Sequence, residues 1–521
     1  MKILSRILAV LIIVSTLLTF SACGGDDTVA TTAQNKTTKA TENSTSPTTS
    51  NTAATTENKK TTVKTTAKVV SSITNLAGYN TIGNLIARTT NKKGNPTDSF
   101  VKSLKGFSVT LMQAWEPHKS GKIFESTKWC LEQVQKEFGV TVKYDGYFTN
   151  YNENLTANLT ANSAKAQVYM CQDFNFASYF KNGYLCDLTT AMSKSGVDFK
   201  EPWFNKNAKE FLNINYKQYG WITFGAEYTF PYGILYNKDL VKKAKLTDIE
   251  SLVKNGKWTW ATLEKYAKKL DSSQITGFGT GNITQMLGSM VATKGSTLVT
   301  VKKGQSPNTN INTQTNLDCL TQLTKWCGNN GICDSFSNKD WTYPKTQFAA
   351  GKIAMLYGSH DAIKQILVNK KFDDSIGFVP FPTEKGTKKY TNVCIPQFVW
   401  FIPAQHKKNA DKILFIANEL YRQEYRFAQR NFEINWKTYF DDADTVDMEC
   451  NMMYGRDMFT NVYDWRSVSE NNKTGNTTTA TIINYAIKNN GAVKEAVAKY
   501  EDSLKKTYNS VWKNYRITGN V

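Results

Sequence analysis

The pattern of apolar and polar positions after residue 100 predicts an alternation of strands and helices. Phe107-Ser-Val-Thr-Leu-Met-Gln-Ala-Trp115 reads as a strand. Ile123, Phe124, Leu131, Val134 and Phe138 then recur at helical spacing, and Gly139 suits the position just past a helix end. Val140–Tyr144 is a second strand, an Asn-rich helix is expected over about 151–164, and Gln167–Cys171 is a third strand. Strand, helix, strand, helix, strand predicts a parallel α/β sheet. The pattern returns in Thr276–Gly279, Ile353–Tyr357 and Ile376–Val379. Two such blocks without a long linker predict two lobes of one body. Thr259 is placed to cap a helix carrying Leu263, Tyr266, Ala267 and Leu270. Ala410, Ile413, Leu414, Ala417, Leu420 and Tyr421 mark another helix, and 478–515 is helical again.

The first hundred residues follow a different pattern. Lys2 and Arg6 precede an apolar run from Ile7 to Phe20, too short for a comfortable span of about 20 residues, so 1–22 reads as a secretory signal. The run ends in Phe20-Ser21-Ala22-Cys23, which is similar to a bacterial lipobox with Phe20 in place of the usual Leu. Cys23 is therefore the expected lipidation site. Residues 24–75 are mostly Thr, Asn, Ser, Ala and Lys. They lack the apolar side chains that would offset ordering entropy, so 23–100 is read as a lipidated cysteine and a disordered tether. Such a coil reaches on the order of 50 Å. Residues 76–100 carry some apolar periodicity, which leaves a short helix or a docked segment open.

Composition narrows the chemistry. Hydrophobic residues make up 40% and aromatics 12% of 521 residues, which suffices for a large core and excludes global disorder. Only 3 His are present, which argues against multi-histidine metal catalysis. The formal charge of +20 raises nucleic acid as a partner, but an exported chain does not meet it; anionic wall polymers or headgroups explain the charge better. Apart from Cys23, eight cysteines remain. Cys327 and Cys333 close a turn-rich loop and form the best single pair, against buried free thiols as the common alternative. Asp441, Asp442, Asp444 and Asp447 lack the Gly of a calcium loop and read as a solvated acidic loop. Gly277–Gly281 has no following Lys-Ser/Thr and is not a nucleotide loop, and the motif set calls for no cofactor and no metal.

Four landmarks carry a resemblance. Tyr232-Gly-Ile-Leu-Tyr-Asn-Lys-Asp-Leu-Val241 followed by Trp258-Thr-Trp-Ala-Thr-Leu-Glu264 resembles the carbohydrate-type, maltose-binding-like family 1 of extracellular solute-binding proteins that serve ABC importers. Phe348–Ser359, Ile376-Gly-Phe-Val-Pro-Phe-Pro382 and the helix opening after Pro403 resemble further segments of that family, in the right order over about 101–425. The resemblance implies a two-lobed, periplasmic-binding-protein-like α/β fold with a hinge and an interlobe ligand cleft. Lobe 1 would be 101–229 and 378–428, and lobe 2 would be 230–377 and 429–521, with crossings near Thr229–Pro231 and Val379–Phe381. It also implies a lipid-anchored, monomeric receptor on the outer face of the bacterial cytoplasmic membrane. Its partners would be a sugar or oligosaccharide and an ABC permease with its ATPase subunit. An extracellular carbohydrate-active enzyme and a surface adhesin or co-receptor stay open as alternatives, since two carboxylates suffice for glycoside hydrolysis.

A sugar is held by planar amides and carboxylates on its hydroxyls and by aromatic rings on its C–H face. In doubly wound sheets the ligand lies at the carboxyl ends of the strands. The expected ligand contacts are therefore Trp115 and Glu116 after the first strand, Asp145 after the second, and Gln172 and Asp173 after the third. Tyr228 and Tyr232 flank the hinge, Asn282 follows the Gly-rich segment, Trp341 is a further aromatic, Tyr357 and His360 end the Ile353 strand, and Gln397 and Trp400 lie near the return. His360 stands where carbohydrate binders of the family usually place Trp, which removes one stacking platform.

Overall fold

The computed structural model describes residues 97–519, apart from 114–122, 147–149, 206–209, 224–228, 341, 370, 372, 397, 441, 456 and 471–475. Cys23, the signal and the tether lie outside the described residues. The strands are, in chain order, β1 (Ser108–Gln113), β2 (Thr141–Gly146), β3 (Val168–Gln172), β4 (Asn213–Ile214), β5 (Lys217–Gln218), β6 (Thr229–Asn237), β7 (Thr276–Thr280), β8 (Val299–Thr300), β9 (Asn308–Thr309), β10 (Asp334–Ser335), β11 (Ile353–Ser359), β12 (Ile376–Pro380), β13 (Tyr390–Pro396), β14 (Phe398–Phe401) and β15 (Phe459–Tyr463).

Two mixed sheets result. The first has the order β14-β3-β1-β2, with β1 parallel to β2 and β3, and β14 antiparallel to β3. The second has the path β10-β7-β11-β6-β13-β15, with β12 also on β6. In β3, Val168 to Cys171 are all buried, and so are all four residues of β14. Both faces of these strands are covered, which is why they read as unbroken apolar runs. Helices Ile123–Phe138 and Thr189–Ser195 both pack on the helix Ala410–Tyr439, and Ile123–Phe138 and Ala410–Tyr439 pack on the first sheet.

Strand β6 is the spine of the second sheet. Its Thr229–Pro231 pair with Cys394–Pro396 of β13, while Gly233–Asn237 pair with β12 on one edge and Tyr232–Tyr236 with β11 on the other. Gly233 sits where β6 exchanges one neighbour for the next. A Cβ there would lie 2.4 Å from the Val379 carbonyl oxygen, so only glycine fits.

The segments that carry the resemblance lock together. The indole N–H of Trp258 donates to the Pro380 carbonyl and that of Trp260 to the Pro382 carbonyl, each at 2.9 Å. Thr259 caps the helix Trp260–Leu270 by accepting from the Thr262 N–H at 3.3 Å, as its position predicts. Lys238 of the Tyr232–Val241 segment opens the helix Lys238–Lys243 and reaches Glu250 (2.9 Å), Thr445 (2.9 Å) and Asp442. Asp442 also caps the helix Ala443–Tyr454 through the Asp444 N–H. The acidic run is thus partly an anchor for a lysine.

β12 and β13 both belong to the second sheet and β14 to the first. The carbonyls of Pro380 and Pro382 are the acceptors that hold the two indoles. The C-terminal segment bonds to parts of the chain far apart in sequence: Ile517 pairs with Ile214 and Gln305, and the Thr518 N–H donates to Asn213.

Lys238 is 16% and Glu250 4% exposed, so removing the lysine leaves a buried carboxylate without its cation. Lys238→Met is expected to lose about 2–4 kcal/mol in urea unfolding; a loss below about 0.5 kcal/mol, typical of an exposed pair, would show the cluster to be surface decoration.

Candidate functional site

The carboxyl ends of strands from both sheets converge on one buried guanidinium. Arg466 follows β15 and opens the short helix Arg466–Ser469, which packs on the helix Asp173–Lys181 that follows β3. Arg466 Nε lies 3.5 Å from Asp464, whose other oxygen accepts the Arg466 backbone N–H at 3.0 Å. Gln285, with its amide nitrogen turned to the carboxylate, donates to Asp464 at 3.0 Å and accepts from Arg466 at 2.6 Å. Burial works against the Arg466 charge. Asp464, Glu470, Tyr508 and Asp173 outweigh it and hold the pKa above its ordinary value. Burial pushes the Glu470 carboxyl up, while Arg466 and Thr479 pull it back; Thr479 donates its hydroxyl to it at 2.5 Å.

Asp173 is a buried carboxylate at the first position of its helix, where the helix dipole and the Phe174 N–H (2.9 Å) favour negative charge. It comes from the end of β3 and feels Arg466 from the end of β15. On the other side, Tyr357 near the end of β11 bonds the Ser289 hydroxyl at 2.7 Å and stacks on Tyr232 of β6 at 5.5 Å between ring centres. Burial raises the Tyr357 phenol well above its ordinary pKa, so it stays protonated. Tyr232 is half-buried and covers Tyr357. Asn282, after β7, caps the helix Ile283–Thr293 by accepting from the Gln285 N–H at 3.1 Å, and so sets the helix that carries Gln285 and Ser289.

Of the residues expected from sequence, Asp173, Tyr232, Asn282 and Tyr357 are therefore tied to the Arg466 network, directly or through one neighbour. Gln172 ends β3 and accepts from Asn152 at 2.7 Å. Asp145 is exposed near the end of β2. His360 is the first residue of the helix His360–Asn369. Trp400 departs from expectation. It is wholly buried in β14, with its ring against Tyr144 and Tyr421, because all four residues of that strand are core. Trp115, Glu116, Tyr228, Trp341 and Gln397 lie outside the described residues. Sequence reasoning missed Asp464, Arg466, Gln285 and Ser289. The available signal was an arginine directly after Trp465, with an Asp two residues before it.

The cysteines Cys130, Cys171, Cys186, Cys319, Cys327, Cys333, Cys394 and Cys450 are free thiols. A separate pocket of about 190 Å³ lies beside the start of β7 and β11, lined by Ser273, Thr276, Phe336, Tyr343 and Lys352 among others.

Two mixed α/β sheets with strand ends facing a shared polar cluster define a binding-protein architecture. Residues 127–417 match the family described as bacterial extracellular solute-binding protein, more than half of the chain, and the protein belongs to that family. It is a family of non-catalytic binding proteins. The fold is similar to an ABC substrate-binding protein, Lmo0181 from Listeria monocytogenes, solved in complex with cycloalternan (18% identity, TM-score 0.52, 78% of this chain and 98% of that one). It is also similar to an ABC transporter solute-binding protein from Thermotoga lettingae bound with α-D-tagatose (14%, 0.52, 77% and 100%). The apo form of RafE from Streptococcus pneumoniae gives 14%, 0.50, 78% and 98%. At these identities the likeness establishes the fold. No curated protein matches the sequence.

Arg466 and Asp464 are 9% and 7% exposed at their side chains, and Glu470 is buried. Arg466→Met is expected to cost about 3–5 kcal/mol of folding stability, because it strands buried carboxylates. An Arg466→Met protein that unfolds in urea within 1 kcal/mol of the parent would show that the carboxylates do not depend on it.

Proposed function

We propose that this solute-binding protein captures a sugar or oligosaccharide between two hinged lobes and hands it, unaltered, to an ABC permease. The single observation that carries the reading is the convergence of Asp173, Arg466, Tyr357 and half-exposed Tyr232 from the strand ends of both sheets. Carboxylate, guanidinium and amide groups suit paired hydroxyls, and Tyr232 offers a ring face for a pyranose or furanose. The carbohydrate ligands in the structures of the Listeria and Thermotoga proteins support the same solute class. In this reading Trp115, Glu116, Asp145, Gln172, Tyr228, Asn282, Trp341, His360 and Gln397 surround that centre, and Tyr357 backs Tyr232. Residues 101–229 with the return strand β14 form one lobe, and the remaining strands of the second sheet form the other. Lobe closure removes water and strengthens each hydrogen bond.

We place the protein on the outer face of the cytoplasmic membrane, monomeric and tethered through lipid on Cys23. The coil behind it lets the binding domain reach the permease without diffusing away. The lipid anchor follows from the sequence Ser21-Ala22-Cys23 at the end of the apolar run.

A thermal-shift screen of the purified full chain against neutral mono- and oligosaccharides tests the function. One intact sugar should stabilise the protein by about 2.7 kcal/mol at a hundredfold excess over Kd. Cleaved products in the mixture would make the protein a carbohydrate-active enzyme, and silence to every soluble carbohydrate would favour an adhesin. Trp115→Ala and Tyr232→Ala should each weaken binding about tenfold or more, roughly 1.4 kcal/mol, with melting temperatures within a few degrees of the parent. Unchanged affinity in both would remove these rings from the site. Raising salt should leave Kd nearly flat, since neutral hydroxyls release no counterions; a steep dependence would mean an anionic solute.

A further inference from the structure

The helix Gln314–Cys327 ends on a half-buried cysteine, and six residues later Cys333 lies in the core at 5% exposure. The intervening loop doubles back tightly. The Gly328 N–H donates to Thr324 (2.8 Å), Gly331 to Gly328 (3.0 Å) and Cys333 to the Trp326 carbonyl (2.9 Å). Gly331 lies so close to Trp326 that a Cβ would fall 2.0 Å from its carbonyl oxygen. The backbone therefore fixes residue 333 beside the last turn of the helix. The Cys333 thiol donates to the Asp334 carbonyl at 3.9 Å and lies near enough to Cys327 for the two thiols to act on one another. Trp326, which anchors this turn, is itself held by its indole N–H on Glu264 at 2.7 Å.

We propose that Cys327 and Cys333 are a dithiol site that oxidises to an intramolecular disulfide once the protein is outside the cell. The family is extracellular, where disulfides persist. The order of events follows from exposure. Burial and the neighbouring Cys327 raise the Cys333 thiol well above its ordinary pKa, so Cys333 is the poorer first nucleophile. Cys327 loses its proton and attacks one sulfur of a small disulfide, such as oxidised glutathione, releasing one glutathione thiolate. Cys333 then gives up its proton and attacks the Cys327 sulfur, which forms the protein disulfide and expels the second thiolate. Two protein thiols are oxidised and one small disulfide is reduced to two thiols.

The bond would brace a segment that leads to the proposed site. Directly after Cys333, Asp334 and Ser335 pair with Gly279 and Thr280 of β7, and the Phe336 N–H donates to Thr280 at 2.8 Å. Asn282 follows two residues on. Formation of the bond itself does not depend on the sugar-binding reading.

The test compares the folded full chain after dithiothreitol with the same chain after excess oxidised glutathione. N-ethylmaleimide is added before denaturation, and peptides are then mapped by mass spectrometry. After oxidation Cys327 and Cys333 should carry no maleimide, and a peptide linking them should appear, about 2 Da lighter than the two free-thiol peptides together. Cys327→Ser, a change at the half-buried position, should abolish the link and leave Cys333 without glutathione, with thermal melting confirming its fold. Both residues remaining free thiols after oxidation, a persistent glutathione on Cys327, or a link from either residue to another cysteine would each overturn the proposal.

Discussion

A guanidinium less than one tenth exposed is tolerable only when carboxylates and amides surround it. Arg466 meets that condition with Asp464 and Gln285 in contact and with Glu470 and Asp173 close enough to act on its charge. These groups come from the residue after β15, from the helix after β7, from the end of the helix Arg466–Ser469 and from the helix after β3. Meeting the needs of one charge therefore fixes how the end of the second sheet meets the helix that follows the first. The buried aromatic pairs Phe211–Trp465 (4.6 Å) and Phe180–Trp512 (5.8 Å), both stacked, pack beside the same elements. A polar cluster built this way is held in one orientation by its own hydrogen bonds and ion pairs.

The framework around that cluster is set by β6 and by the indoles of Trp258 and Trp260. β6 takes β13 along its first residues and β11 and β12 along the rest, so the segment that leads to the first sheet is continuous with the core of the second. The indoles bind carbonyls of Pro380 and Pro382, in a stretch where prolines supply no N–H and the carbonyls are the available partners. The most recognisable parts of the sequence are therefore structural: Lys238, Trp258 and Trp260 hold the second sheet's helices in place.

Much of the fold was legible. β1, β2, β3, β7, β11 and β12 fall within a residue or two of the strands expected from apolar runs, and Thr259 caps as predicted. β13, β14 and β15 were not legible, because Asn392 is buried inside a strand and β15 is mostly half-buried, so neither gives a clean alternation. The site was legible only as far as strand ends can be counted. Asp173 and Tyr357 follow from that rule. Trp400 looks equally suitable in sequence, yet its strand is core on both faces. Arg466 was invisible for the opposite reason: a charged residue is expected at the surface, and only the packed fold shows which carboxylates bury it.

A crystal structure of the protein with a bound neutral oligosaccharide tests the central claim most directly. The sugar should lie between the carboxyl ends of β1 and β3 and those of β7 and β11, one ring in van der Waals contact with Tyr232, every glycosidic bond intact. A sugar ordered instead in the outer pocket near Thr276 and Phe336, or found broken, would contradict it.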